Sequence, residues 1–412
     1  MKCRDSSFPV RASVAVAITI CLGGCFDDDD PSFPAYDTPN SVEVVDMNGD
    51  SLNDIVFAAT HVDGSYPNPG IAGVVLQSSA APGTFLVSLD SAVGANPSTL
   101  AVGDLDGLSG PDVAVSNANS ASVSVLLHNA TPSDAQLPVA SNVTTGGVPY
   151  DVAVGDLNHD SLPDIAVADA GSRLNVLVLR RDPASPGIFL APIAMPVGNP
   201  TTSVAIGDLN VDGRLDLAVA NVAPGGAGQV SIFFQSTTTS GEFSSRVDVP
   251  AGTVPLSVKI ADLDNDGRAD LAVANEGPGS SAIGPAGVTV LLQSATTPGT
   301  FSPAVTYATT RGSVCVAIGD LNNDGFRDLA VANTGGSQSG TISILLQDAT
   351  RPGIFLAATN YRGVYEPLGL AIGNLNGDLL PDIAVADGDR ATVMFNSSTT
   401  PGSFATPVLV GR

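Results

Sequence analysis

The sequence predicts an all-β chain, a seven-bladed β-propeller of four-stranded antiparallel blades. Three observations predict it. The stretch DLNVDGRLDLAVAN (208–221) recurs in seven variants, beginning at 46, 104, 156, 208, 262, 320 and 374. The copies lie 52–58 residues apart and fill residues 39–412, which leaves no room for a second domain. Each unit holds four short β-rich runs separated by turn residues, with no long helical period; repetition of that kind closes into a ring of radial sheets.

The bulk numbers agree. The chain has 412 residues, 43% of them hydrophobic, so a large core is available. Gly (44) and Pro (30) are frequent enough to supply many turns. A net charge of -25 excludes nucleic acid, whose phosphates need clustered Lys and Arg.

Residues 1–24 are predicted to be an export signal. Lys2, Arg4 and Arg11 precede the apolar run ASVAVAITICL (12–22), which is too short to span a bilayer. LGGC (22–25) resembles a bacterial lipobox, which implies that Cys25 becomes a lipidated N-terminus. The alternative is an ordinary secretory signal cleaved nearby. Residues 25–38 then form a lipidated, acidic tether. The implied location is a bacterial cell envelope, at the outer membrane or cell surface, with the membrane reached only through the lipid. Cys3 and Cys21 leave with the signal, so Cys315 is the one other cysteine and no internal disulfide forms. Cys315 stands where other units have Ser203 or Ser257, and reads as a small core residue.

In each unit the first strand, such as SVAIGD (203–208), carries bulky residues two and four places before the acidic loop, with small ones between. That asymmetry suits innermost strands crowding toward an axis. Glu43 and Lys259 break the small face and are expected in a central channel. The second strand (DLAVAN, 216–221) closes on Asn or Asp at 169, 221, 275, 333 and 387, read as turn formers. A third strand follows (QVSIFF, 229–234), and a Gly-x-Phe signal opens the fourth (PGTFSPAVTYA, 298–308).

The loop between the first two strands carries the chemistry. Twenty-one of the 41 acidic residues fall in these loops, at positions 1, 3, 5 and 9. Each carboxylate pair at about 4 Å costs roughly 1 kcal/mol in water and about 4 kcal/mol when partly buried. A hard dication relieves that repulsion, and Ca²⁺ suits a flexible oxygen-donor loop better than Mg²⁺. The candidate ligands are Asp46, Asn48, Asp50 and Asp54; Asp156, Asn158, Asp160 and Asp164; Asp208, Asn210, Asp212 and Asp216; Asp262, Asp264, Asp266 and Asp270; Asp320, Asn322, Asp324 and Asp328; and Asn376, Asp378 and Asp382. Five to seven structural Ca²⁺ ions are expected. Unit five should bind most tightly, then four and six, then one and three, then seven. Unit two has Leu108 at the fifth position and should be weakest or empty. The competing reading is that the Asp residues only make Asx-turns.

The pattern D-x-[DN]-x-D-G-x-x-D-[LI]-A-V-A, followed by Gly-x-Phe, resembles the FG-GAP/VCBS repeat family, whose best-known members are the calcium-bearing propellers of integrin α chains. The resemblance covers most of the chain. It implies the propeller, the loop calcium and a binding or adhesion role toward a protein or glycan, as a monomer. The face opposite the loops is the expected binding surface, with His61, Tyr66, Arg362 and Tyr365 as candidate contacts and YRGVYEP (361–367) as an aromatic inter-blade segment. The alternatives are a calcium-dependent polysaccharide-degrading enzyme and a periplasmic scaffold. No Ser-His-Asp signature supports the enzyme; His128 replaces a Gln found in other units and reads as structural.

Overall fold

The computed structural model describes residues 37–61, 70–86, 88–108, 110–128, 137–171, 174–244, 246–277, 286–335, 340–388 and 390–410. Residues 1–24, Cys25 and Tyr66 lie outside that range, as do 278–285 of the long blade-five loop.

Twenty-eight strands form seven separate sheets, each of four consecutive strands paired antiparallel. Blade one begins at Asp37–Val45, two residues before the predicted boundary, and blade seven ends at Val408–Val410. Among the described residues the only helix is the three-residue turn Pro224–Gly226.

Blade four shows how sequence sets the wedge. Its strands are Thr201–Gly207, Asp216–Val222, Ala227–Phe233 and Val247–Thr253. Every residue of the second strand is buried, because a blade lies against each of its faces. Leu217 and Val219 point back into the core shared with blade three, while Ala218 and Ala220 face blade five. Large side chains on one face and Ala on the other let neighbouring sheets pack at native density around a ring. The outermost strand is half exposed, as suits an edge.

Seven apolar clusters occupy the seven blade interfaces. One joins Val42, Ile55 and Val75 of blade one to Ala371, Leu375 and Ala384 of blade seven, so the ring is closed. No sheet mixes strands from the two ends of the chain. Closure is therefore made by packing and by Asn53 Nδ2 donating to the Asn374 carbonyl at 3.2 Å.

The first strands crowd at the axis as the small-residue pattern implies. A Cβ on Gly207 would sit 2.8 Å from Ile260 Cγ2, and one on Gly319 would sit 2.9 Å from Ile372 Cγ2. These glycines are needed for close approach rather than for an unusual φ. Further along the same strands, side-chain bonds tie successive blades from one to seven; blade seven has Gly369 at this position and no side chain to continue them. Ser41 Oγ accepts the Leu100 N–H at 3.2 Å, Thr99 Oγ1 the Val152 N–H at 3.2 Å, Asp151 Oδ2 the Val204 N–H at 2.9 Å, and Ser203 Oγ the Val258 N–H at 3.1 Å. Cys315 takes this position in blade six, where the Leu370 N–H bonds its sulfur. It lines the central channel and is only partly buried, which corrects its reading as a core residue. Glu43 and Lys259 line the same channel, as expected.

Three sequence readings change. The Gly-x-Phe signal does not open the fourth strand. Its Phe makes an isolated bridge to the residue ending the third, as in Gln293↔Phe301, and strand four starts later, at Val305. The Phe packs into the preceding blade: Phe355 meets Tyr307 edge-on at 5.4 Å, and Phe404 meets Tyr361 at 5.7 Å. Most of YRGVYEP is therefore not inter-blade; Thr359–Val364 is the outer strand of blade six, and Tyr361 is a core aromatic. The residues closing the second strands are buried braces as well as turn neighbours. Asn221 Nδ2 donates to Ser231 Oγ at 2.9 Å, and Ser231 Oγ donates to Asp248 Oδ1 at 2.6 Å. In blade seven Asp387 Oδ1 instead accepts the N–H groups of Tyr365 and Glu366, at 2.6 and 2.8 Å. An amide stands where the partner is an oxygen, a carboxylate where the partners are N–H groups.

Candidate functional site

Seven loops of one shape ring the face where the first strands end. The residue at position 2 anchors each loop: Met47, Leu105, Leu157, Leu209, Leu263, Leu321 and Leu375 are all at most 1% exposed. That burial leaves positions 1, 3 and 5 on the rim while position 9 begins the second strand beneath them.

The first carboxylate folds the loop around itself. Asp208 Oδ1 accepts the N–H groups of Asn210 and Asp212, both at 3.2 Å, and Oδ2 accepts that of Gly213 at 2.9 Å. Asn210 Oδ1 accepts the Asp212 N–H, and Asp212 Oδ1 the Arg214 N–H, each at 2.9 Å. The Asx-turns weighed as the competing reading are thus real. Position 6 is left-handed, as Gly213 (φ 82°) implies, and it forces the same conformation on Ser51, Ser161 and Leu379. Position 4 is also left-handed in all seven loops, including Val211 (φ 62°); its mixture of Gly, Asn, His and Val conceals this in the sequence.

The ninth Asp has a double role that spacing alone does not reveal. Asp216 is fully buried; its Oδ2 accepts the Leu209 N–H at 2.9 Å and its Oδ1 the Gln235 N–H at 2.8 Å. The pair recurs in every blade, for Asp54, Asp112, Asp164, Asp270, Asp328 and Asp382. Each therefore ties the loop to the end of the third strand. In blade two the main-chain N–H of His128 supplies this bond. Burial outweighs these bonds: it raises Asp164, Asp216 and Asp270 to about 7, and Asp54, Asp112, Asp328 and Asp382 to about 6, with neighbouring loop carboxylates adding to the rise.

The donors fit a calcium ion. In blade five, oxygens of Asp262, Asp264 and Asp270 all lie within 4.8 Å of one another. One ion with ligands at about 2.3–2.6 Å spans that separation. The set is oxygen only, which suits a hard cation. Asp104, Asp106 and Asp112 of blade two converge in the same way, although the sequence reading left them out as ligands. Three carboxylates meet in these two loops because only they have Asp, not Asn, at position 3. That signal was present in the sequence but was outweighed by Leu108. The turn before each Phe covers the preceding blade's loop: a Cβ on Gly353 would lie 3.1 Å from Asp264 Cβ, and one on Gly402 would lie 3.1 Å from Asn322 Cβ.

A model of FG-GAP-like repeats matches residues 156–219, 208–273 and 320–385. The matched stretches are FG-GAP-like repeats, set within the seven-bladed propeller. Those matches take in the five loops from blade three to blade seven. A Lactobacillus plantarum protein superposes with a TM-score of 0.56 and 16% identity, over 82% of this chain and 88% of its own. A candidate 6-phosphogluconolactonase of Bacteroides uniformis gives 0.59 and 16%, over 85% and 95%. At that identity the likeness is one of fold. No curated protein matches the chain.

The opposite face of the FG-GAP-like propeller carries the speculative contacts. His61 ends the second strand of blade one. Arg362 is exposed on the outer strand of blade six, whereas Tyr365 sits half-buried in the turn to blade seven. Tyr66 lies outside the described residues.

Proposed function

We propose that this is a calcium-stabilised, envelope-anchored binding or adhesion module, taking a protein or glycan on the face opposite the calcium loops. The observation that carries the reading is the convergence of three carboxylates in the loops of blades two and five, each set including the buried Asp that clamps its loop to the end of the third strand. Extracellular calcium modules have Kd values of about 10⁻⁴–10⁻³ M, so at about 1 mM calcium each site adds roughly 0.4–1.4 kcal/mol. Calcium replaces the missing disulfides as a brace, and Cys25 supplies the anchor. The ligand surface is then left to the turns between second and third strands and between blades.

The test is a binding screen of the purified protein against surface glycans and matrix proteins, in millimolar calcium and in chelator. The reading predicts a partner bound in calcium and released in chelator. A folded protein that binds none of them in calcium, but turns over a polysaccharide or 6-phosphogluconolactone, would replace it with an enzymatic function.

A further inference from the structure

The axis of the ring is hollow. The first strands enclose about 360 Å³, within the range of small-molecule sites. Near the face opposite the carboxylate loops, Leu256, Val314 and Leu368 of blades five to seven give the wall an apolar sector. One layer deeper stand Glu43 of blade one and Lys259 of blade five, with Asp151 of blade three beside them. Other blades place Ala at the level of Glu43 and Lys259, as at Ala205 and Ala371, so the two charged side chains reach into otherwise open space.

These charges are not used by the fold. Asp151 is partly committed, with Oδ2 accepting the Ser203 hydroxyl at 2.6 Å and the Val204 N–H at 2.9 Å. Neither Glu43 nor Lys259 has an ion-pair or hydrogen-bond partner among the described residues. They still sense each other. Burial pulls Lys259 down, but Glu43 and Asp151 outweigh it and hold the ammonium above its ordinary value. Lys259 is exposed within the channel, so its ammonium is open to a ligand. A molecule bearing both charges spans the pair and satisfies each one.

We propose that the channel binds a small zwitterion of the α-amino-acid class with an apolar side group. Its carboxylate meets Lys259, its ammonium meets Glu43 with Asp151 alongside, and its apolar group lies against Leu256, Val314 and Leu368. The site lies in the central channel, apart from the carboxylate loops.

The experiment uses the purified full chain in millimolar calcium, with leucine as probe and calorimetry as readout. Isocaproate and isoamylamine, each lacking one charge of leucine, are the comparators. Losing one charge-assisted hydrogen bond costs roughly tenfold or more in affinity. Leucine is expected to bind, and each comparator at least about tenfold more weakly. Glu43→Gln and Lys259→Met should weaken leucine by the same factor. Cys315 supplies a reading on the unaltered protein: it lines the channel, and its alkylation by iodoacetamide should slow when leucine is present. No leucine binding at about 10 mM, a comparator that binds as well as leucine, or Cys315 alkylation unchanged by saturating leucine would each overturn the proposal.

Discussion

At the scale of single residues, the carboxylates of one loop do different work. Asp212 stands on the rim and its Oδ1 accepts only the Arg214 N–H, whereas Asp216 is buried and tied to two strands. The two should separate under mutation. Asp212→Asn lowers calcium affinity by about tenfold, yet in chelator it unfolds like the wild type. Asp216→Asn places an NH₂ where an N–H donor already points, so it costs roughly 1–3 kcal/mol in chelator as well. Denaturant unfolding in calcium and in chelator distinguishes them; equal behaviour in chelator would refute the clamp. A second residue-scale prediction concerns strain. Leu379 is 84% exposed and held at φ 70°, a conformation that L-residues adopt at a cost of about 1–2 kcal/mol. Leu379→Gly should therefore raise stability by up to about 1 kcal/mol once the extra backbone entropy of Gly is subtracted. A loss of stability would show that the side chain has an unrecognised contact. The need for left-handed backbone was legible at position 6, where Gly recurs, and illegible at position 4, where Val211 hides it.

At the scale of the element, strand, loop and strand titrate together. Burial raises the ninth Asp to about 6 or 7, above the unfolded value of about 3.9. A group raised on folding favours the fold while protonated. Its contribution is complete below about pH 4 and is lost as pH climbs through 6–7. Without calcium, the protein should grow less stable from pH 5 to pH 8. Calcium needs the ionised form, so its affinity rises over the same interval. The gain in Tm on adding calcium is therefore larger at pH 8 than at pH 5, and thermal unfolding in calcium and chelator at both pH values checks this. Equal gains would mean that the ninth Asp does not couple to the ion. The elements themselves were legible because each strand keeps its alternation across seven copies. The sequence did not disclose that Asn221 is fully buried, since a turn-prone residue looks the same whether it ends in water or braces Ser231. Nor did it disclose that Phe355 serves the neighbouring blade, because that contact joins residues far apart in the chain.

At the scale of the whole molecule, seven wedges close a ring with no strand exchanged between its ends. The repeat count and the small-residue face made the ring legible, and the glycines at the axis carry the reason. Gly207→Val would drive a side chain into Ile260, whose Cγ2 lies only 2.8 Å from where the Cβ would sit, and overpacking of this kind costs about 1–3 kcal/mol. An unchanged urea midpoint for that variant would show that the innermost strands are looser than the geometry implies. The site was less legible than the ring: spacing marked the ligands, but in blade two Leu108 at the fifth position masked the signal of Asp106 at the third. The account as a whole rests on calcium at the loops. The measurement that tests it most directly is calcium stoichiometry on chelator-stripped protein by equilibrium dialysis, with Asp266→Ala beside the wild type. The account predicts about five to seven ions at millimolar calcium and one fewer in the variant. No bound calcium, or a stoichiometry that Asp266→Ala leaves unchanged, would contradict it.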